Sequence, residues 1–301
     1  MHSAKLKSKK MNQYKYSLDR SSKKFTCPRC NKQSFVKYIE NANNSYLEDE
    51  FGRCDRETNC AYHKPPKNSK SGFFVCCKPK SEPSFHSLEL LEKSFLENKE
   101  NNFIEFLKTL FTDAEVTEVV SKYFIGTSKH YKGATIFWQI DKLEKVHAGK
   151  ILQYIPKTGK RAKSPDGKAL INWVHSLNKI NGFNVDQCLF GLHLVQGNNQ
   201  KTVAIVESEK TAVIMSVFKP DYTWLATGSK HGFKQSMLDP IKQLKIVAFP
   251  DKSEYEDWKQ RAIELNAKGF KISVSDWIEK TDLESGSDLA DVFINESKTI
   301  E

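Results

Sequence analysis

Four short apolar runs in the last third of the chain limit its fold more than any other feature. They lie at residues 203–206, 222–226, 244–249 and 270–274. The first, Val203 to Val206, is an unbroken apolar run, as suits a strand buried on both faces of a parallel sheet. Between the last two, residues 254–268 carry Tyr255, Trp258, Ala262 and Leu265 at helical spacing. Strands separated by helical or polar crossovers predict βαβ units and a mostly parallel sheet. The first run ends in Glu207, and Ser208-Glu209-Lys210-Thr211 then opens a helix. The third run ends in Pro250-Asp251, and the second passes into Thr227-Gly228-Ser229-Lys230-His231-Gly232. The same sequence also reads as ordinary helix chemistry, with Ser208 as N-cap and Glu209 in the first turn. Ligands of open α/β sheets collect at carboxyl strand ends, and two carboxylates on one edge suit a hydrated divalent cation.

The second constraint lies near the other terminus. Cys27-Pro28-Arg29-Cys30 has the spacing of a zinc knuckle, in which a tight turn lets both sulfurs reach one ion. A strand is expected just after it, over 34–40. Cys54 and Cys60 form the expected second pair, at wider spacing, with His63 as the alternative fourth ligand. Cys76 and Cys77 are adjacent, which makes joint ligation of one tetrahedral ion awkward, and Cys188 lies in an apolar context. Seven cysteines, an odd number, fit a reducing compartment and metal binding better than disulfides.

Charge is concentrated in one segment. Residues 1–37 hold eleven Lys and Arg against the single acid Asp19, while the remainder is balanced. A basic arm with Tyr14 and Tyr16 interleaved reads either as a nucleic-acid tail or as a solvated one, and the neighbouring metal module favours nucleic acid. Arg29, Lys32 and Arg53 flank the cysteines and are candidate phosphate contacts. No run of eighteen apolar residues indicates a membrane span, and no apolar signal region follows the N-terminal lysines. A cytoplasmic location is therefore expected.

The intervening chain divides by composition. Residues 1–22 read as a flexible basic tail, 23–64 as a zinc ribbon, and 65–84 as a Pro, Lys and Ser-rich linker with a short docking strand over 73–75. Residues 85–200 read as a helical and β-meander segment, and 201–301 as the parallel-sheet domain. Leu88, Leu91 and Phe95 are expected on one helix face, and Thr112 to open a further helix. Strands are expected over 134–140 and 146–154, with basic meander tips. Lys150, Lys160, Arg161 and Lys163 there are candidate phosphate contacts, equally readable as solvated lysines and an arginine.

Here the motifs meet a family. Val206-Glu207-Ser208-Glu209-Lys210-Thr211 resembles the phage-primase form of the first Toprim motif, Val-Glu-Gly-Glu-Lys-Asp. Thr227-Gly228 resembles the glycine turn after the second strand, and Phe249-Pro250-Asp251 the approach to the Asp-x-Asp motif. Ser287-Asp288-Leu289-Ala290-Asp291 resembles the late Asp-x-x-Asp element. The wording is similar to primase-like Toprim proteins of bacterial mobile elements and phages, and bacterial primases also place a zinc ribbon ahead of the Toprim core. Charge and cysteine spacing give the basic tail and a structural Zn²⁺ on Cys27, Cys30, Cys54 and Cys60, a ligand spacing that departs from the usual primase set, and the resemblance implies a C-terminal Toprim-like α/β domain. It implies Glu207 and Asp251 as catalytic residues. Mg²⁺ or Mn²⁺ would be held by Glu207, Asp251, Asp288 and Asp291, and Lys210, Lys230 and His231 would face phosphates. It further implies DNA, single-stranded above all, as partner, with a separate helicase or replication proteins. No Gly-x-x-x-x-Gly-Lys-Ser/Thr loop is present in the chain itself.

The sequence departs from the family where the second Asp would stand, at Ser253, with Lys252 placed to offset one negative charge. Glu254, Glu256 and Asp257 are expected inside the following helix. Three functions follow: primer synthesis in replication or mobilisation, a non-enzymatic zinc-ribbon DNA binder with a degenerate site, and a Toprim nuclease. Convergence of Glu207, Asp251 and a third acid within a few ångströms would separate enzyme from binder.

Overall fold

The structure is a computed structural model that describes residues 15–19, 21, 23–56, 60–66, 82–96, 100–178, 180, 182–195 and 202–299. Most of the basic tail, the greater part of the linker with its docking strand at 73–75, and Cys76 and Cys77 lie outside the described residues. The chain divides into two compact units, Met1–Lys78 and Pro79–Glu301.

In the first unit the strands are β1 (Tyr16–Leu18), β2 (Phe25–Thr26), β3 (Gln33–Glu40), β4 (Ser45–Tyr46), β5 (Gly52–Cys54) and β6 (His63–Lys64). The long β3 is the hub, paired antiparallel with β1, β2, β4 and β5, while β6 pairs with β5. Its core is small, with Phe35 fully buried among Cys27, Cys54 and Cys60. A core of that size leaves folding dependent on what the cysteines hold.

The second unit opens with α1 (Leu88–Leu96), α2 (Asn102–Leu107) and α3 (Asp113–Lys122). Thr112 caps α3 in a reciprocal capping box with Glu115, as its sequence predicts. Leu88 departs from expectation: it is 53% exposed, whereas Leu91 faces the core. Next come β7 (Gly126–Ser128), β8 (Ala134–Ile140), β9 (Val146–Leu152) and β10 (Ile171–Trp173), an antiparallel sheet of order β10-β9-β8-β7, followed by α4 (Val174–Leu177). Asn101 is fully buried and fully used. Its Oδ1 accepts from the Phe103 and Ile104 amides and the Thr135 hydroxyl, and its Nδ2 donates to the Gly126 carbonyl.

The remaining elements are β11 (Val203–Val206), α5 (Glu209–Phe218), β12 (Thr223–Ala226), α6 (Gln235–Leu238), β13 (Ile246–Ala248), α7 (Tyr255–Asn266), β14 (Ile272–Val274) and α8 (Leu289–Thr299). All pairings in the order β12-β11-β13-β14 are parallel. Ala204 and Val206 pack on one face with α5, α2, α3 and the Phe137–Leu152–Tyr154 side of the meander, while Val203 and Ile205 pack on the other with Phe233 and Trp258. Burial on both faces is why the run reads as unbroken apolar sequence. The Tyr123 hydroxyl donates to the Trp224 carbonyl at 2.9 Å, tying α3 to β12. From β11 the chain crosses outward to β12, and from β13 it crosses the opposite way to β14. The carboxyl ends of β11 and β13 therefore flank a topological switch point.

Candidate functional sites

In the ribbon, the Sγ atoms of Cys27, Cys30, Cys54 and Cys60 all lie within 4.8 Å of one another. The Cys27–Cys60 and Cys30–Cys54 pairs stand 3.7 and 4.0 Å apart. Tetrahedral zinc with Zn–S of about 2.3 Å requires sulfurs roughly 3.8 Å apart, so the set fits a structural Zn²⁺. Each knuckle continues into a left-handed residue, Asn31 at φ 51° and Ala61 at φ 50°. That bend aims the next amide, of Lys32 or Tyr62, at the second thiol of its pair. The Lys32 amide lowers the Cys30 thiol to about 6. The fourth donor is Cys60: His63 stacks on Tyr38 and meets its hydroxyl through Nε2 at 3.0 Å. Arg29 donates to the Cys60 carbonyl at 2.9 Å, and Lys32 and Arg53 are exposed beside the knuckles.

In the second unit, Glu207 directly follows β11 and is half-buried, and its carbonyl accepts from the Gly228 amide at 2.9 Å. Its carboxyl is raised, first by burial and then by Glu254. Asp251 follows β13 by three residues. Two backbone hydrogen bonds, Lys252 amide to Ser287 carbonyl and Gly286 amide to Lys252 carbonyl, join its loop to the segment leading into α8. That junction brings Asp251 beside Asp288 and Asp291. Burial, then Asp288, Glu207 and Asp291, pushes the Asp251 carboxyl up to about 8. Asp288 and Asp291 cap each other's amides at 3.1 Å, and Asp288 also accepts from the Thr211 hydroxyl at 2.7 Å.

The acids are coupled, but they are not a preassembled ligand set. Among the described residues, only the four cysteines place three or more His, Cys, Asp or Glu donor atoms within 4.8 Å of one another.

Several sequence expectations are corrected in position. Lys150 is not at a meander tip: it lies inside β9, 6% exposed. Its ammonium donates to both Glu209 oxygens, at 2.9 and 3.1 Å, and to the Gly228 carbonyl at 2.6 Å. Lys210 turns to Asp288 and Asp291, at 3.5 and 3.6 Å, and those carboxylates outweigh burial to raise its pKa. Lys252 bonds the Thr281 carbonyl and not the acids. Glu254 precedes α7 as its N-cap residue and does not lie inside the helix. Ser208 takes the N-cap position of α5 without a side-chain capping bond. Arg161, Lys150 and Lys230 all act electrostatically on Glu207; Lys230 pairs with Glu254 at 2.7 Å, and His231 is exposed.

Two functional candidates escaped the sequence reading. Glu209 is 1% exposed, which the motif's ordinary helix-start reading hides. Tyr154 is 1% exposed, with Arg161 beside its hydroxyl and Glu209 and Asp288 within electrostatic reach. Gly228, at φ 75°, adds a steric condition: a Cβ there would sit 3.0 Å from Glu209 Oε1.

Residues 101–252 match the family model described as a domain of unknown function, DUF6371. Residues 14–72 match that of a zinc beta-ribbon finger. No curated protein matches the chain. Among solved structures, the primase fragment of the bacteriophage T7 primase-helicase aligns over 92% of this chain and 95% of its own, at 13% identity and TM-score 0.42. The RNA polymerase domain of Mycobacterium tuberculosis primase DnaG aligns over 71% and 79%, at 10% identity and TM-score 0.47. The zinc-binding and RNA polymerase domains of Aquifex aeolicus primase align over 93% and 77%, at 13% identity and TM-score 0.38. No helix of the described residues is long and apolar enough to cross a membrane.

Proposed function

The chain belongs to the DUF6371 family, whose name assigns no activity, and from its site geometry we propose a Toprim-like, divalent-cation-dependent phosphoryl-transfer centre that acts on nucleic acid, with primer synthesis as the reaction. The observation that carries this reading is the placement of Glu207 and Asp251 after the adjacent parallel strands β11 and β13, with Asp251 electrostatically coupled to Glu207, Asp288 and Asp291. Lys210 offsets part of their mutual repulsion at Asp251. Such a set favours a cation.

Mg²⁺ keeps several waters and binds through one or two carboxylates, so a preassembled trio is not required. Glu207 and Asp251 would hold it directly, with Asp288 and Asp291 reached through water. When bound, the ion would stabilise charge on the transferring phosphate and orient the nucleophile. Glu207, at the tip of β11 and with its carboxyl raised by burial, would take the proton of the attacking hydroxyl. Arg161 and Lys230, which act electrostatically on Glu207, would meet the phosphate charge. The zinc ribbon and its Lys and Arg coat would carry the single-stranded DNA template, in replication or mobilisation of a mobile element, with unwinding left to a separate helicase.

The test is incorporation of labelled ribonucleotides on single-stranded DNA with Mg²⁺ or Mn²⁺. Glu207→Gln is expected to lose about 10²-fold or more of product while keeping DNA binding. Product undiminished by Glu207→Gln contradicts the assignment.

One observation favours a second reading. Ser253 turns its hydroxyl to Ser285 at 2.9 Å and its amide to Glu279 at 2.8 Å, away from the acids. A non-enzymatic DNA binder on a degenerate Toprim-like scaffold would show DNA binding with no product in any variant.

A further inference from the structure

The antiparallel sheet of the second unit has two faces, and the proposed function draws on one. On β8 and β9, Phe137 and Leu152 join the core shared with the parallel sheet, and Lys150 reaches Glu209. Ile136, Trp138 and Ile151 alternate to the other face, in a separate core with Leu91 and Val174. There α1 packs on β7 and α4 on β9, which leaves β8 between the two helices. A cavity of about 330 Å³ opens at that gap, lined by Ile136, Trp138 and Ile151 from the sheet, Leu90 from α1, and Val174 and Leu177 from α4. Its size is at the lower end of the range for ligand sites, about 300–1,000 Å³.

The chemistry of the lining says what it takes. The polar groups of the floor are already engaged: Trp138 Nε1 donates to Ser94 Oγ at 2.9 Å, and that hydroxyl donates to the Leu91 carbonyl at 2.7 Å. What remains is an apolar wall, which suits an apolar group better than water. The rim is basic. Lys93, Lys129 and His130 line the cavity and are exposed. Among the described residues no Asp or Glu lines it, and Glu89 and Glu92 of α1 are not part of it. Trp138 is fully buried, so it offers no ring face on which a nucleobase could stack. Apolar surface also continues outside the cavity: Leu96, a neighbour of Lys93 on α1, is 77% exposed. A small ligand would stop at the rim, whereas a peptide crosses it.

We propose that the groove between α1 and α4 docks an acidic peptide segment of a partner protein. One bulky apolar side chain of that segment fills the cavity, its flanking carboxylates meet Lys93 and Lys129, and its continuation covers Leu96. The inference stands apart from the proposed function. A partner seated there lies on the face of the meander opposite Lys150 and leaves the tips of β11 and β13 open.

The experiment is selection of a phage-displayed random peptide library on the zinc-loaded full chain, followed by fluorescence anisotropy with the strongest binder as a labelled peptide. Enriched sequences should carry Asp or Glu beside a Leu, Ile, Phe or Trp. Lys93→Glu/Lys129→Glu should weaken the labelled peptide about tenfold or more, with the greater loss at low salt. Leu90→Gln should weaken it about tenfold at any salt. Leu96→Ser, a change on the surface that spares the core, should weaken it several-fold. Lys245→Glu/Lys271→Glu, the same charge change at exposed lysines of the parallel sheet, should leave it unchanged. Thermal melts verify that each variant is folded. Enrichment of basic or uncharged peptides, or binding that ignores Lys93, Lys129, Leu90 and Leu96, contradicts the proposal. So does a groove in which these variants instead reduce binding of a labelled oligothymidylate or a fluorescent fatty acid, which would assign it to nucleic acid or lipid.

Discussion

Lys150 and Glu209 are 59 residues apart in sequence and form a buried ion pair, with one ammonium on both carboxylate oxygens at 2.9 and 3.1 Å. Because Lys150 also bonds the Gly228 carbonyl, one side chain joins the meander, the start of α5 and the turn after β12. Those are the walls that position Glu207. Lys150→Met leaves Glu209 buried and uncompensated, and should destabilise the second unit by about 3–5 kcal/mol. The double variant Lys150→Met/Glu209→Gln should recover most of that loss. Urea denaturation followed by tryptophan fluorescence measures both.

Asp251 gives a pH-dependent prediction. Its folded pKa of about 8 lies above the ordinary 3.8, so the group's contribution to stability is full below about pH 4 and is lost as pH rises through 8. Asp251→Asn removes the group that must ionise. Without added divalent cation, the variant should become increasingly more stable than wild type as pH goes from 5 to 9, by about 1–3 kcal/mol. A stability difference independent of pH would contradict the coupling among these acids.

The zinc cluster predicts a loss confined to the first unit. All five tryptophans, Trp138, Trp173, Trp224, Trp258 and Trp277, lie beyond residue 78. Cys54→Ser, or zinc removal by a chelator, should abolish the ribbon's β-sheet circular dichroism, since structural zinc is worth about 10–16 kcal/mol to a small module. The tryptophan melting transition should stay within a few degrees of wild type. A ribbon that keeps its fold without zinc would contradict the four-thiolate assignment.

His86 supplies an acid-sensitive contact. It is 6% exposed, stacks on Phe183 at 4.7 Å, and holds its strand bridge to Val146 through its amide at 2.8 Å. Burial, then the charge of His175, depresses its pKa from 6.5 to about 4. A depressed histidine contributes stability that is present above 6.5 and lost as pH falls towards 4. His86→Phe keeps the stack and removes the titration, so its tryptophan-detected melting temperature should fall less than that of wild type over this window.

The parallel strands and the cysteine cluster were legible because each is written locally. A run buried on both faces has no alternation, and a knuckle needs its two cysteines at fixed spacing. Lys150 was misread because a lysine near a turn looks solvated, and nothing in its neighbourhood names a partner at Glu209. Glu254 was misread for a different reason. Helical spacing continues through it, and only the positive φ of Ser253 shows that the helix begins at Tyr255. Leu88 fits the helix periodicity, yet it is 53% exposed.

The most direct measurement is anomalous diffraction from crystals of the zinc-loaded protein soaked in Mn²⁺. The account predicts a manganese peak between the carboxyl ends of β11 and β13, in contact with Asp251, and its loss in Asp251→Asn. Anomalous signal confined to the four cysteines would contradict the cation site and leave the chain a zinc-ribbon DNA binder without phosphoryl-transfer chemistry.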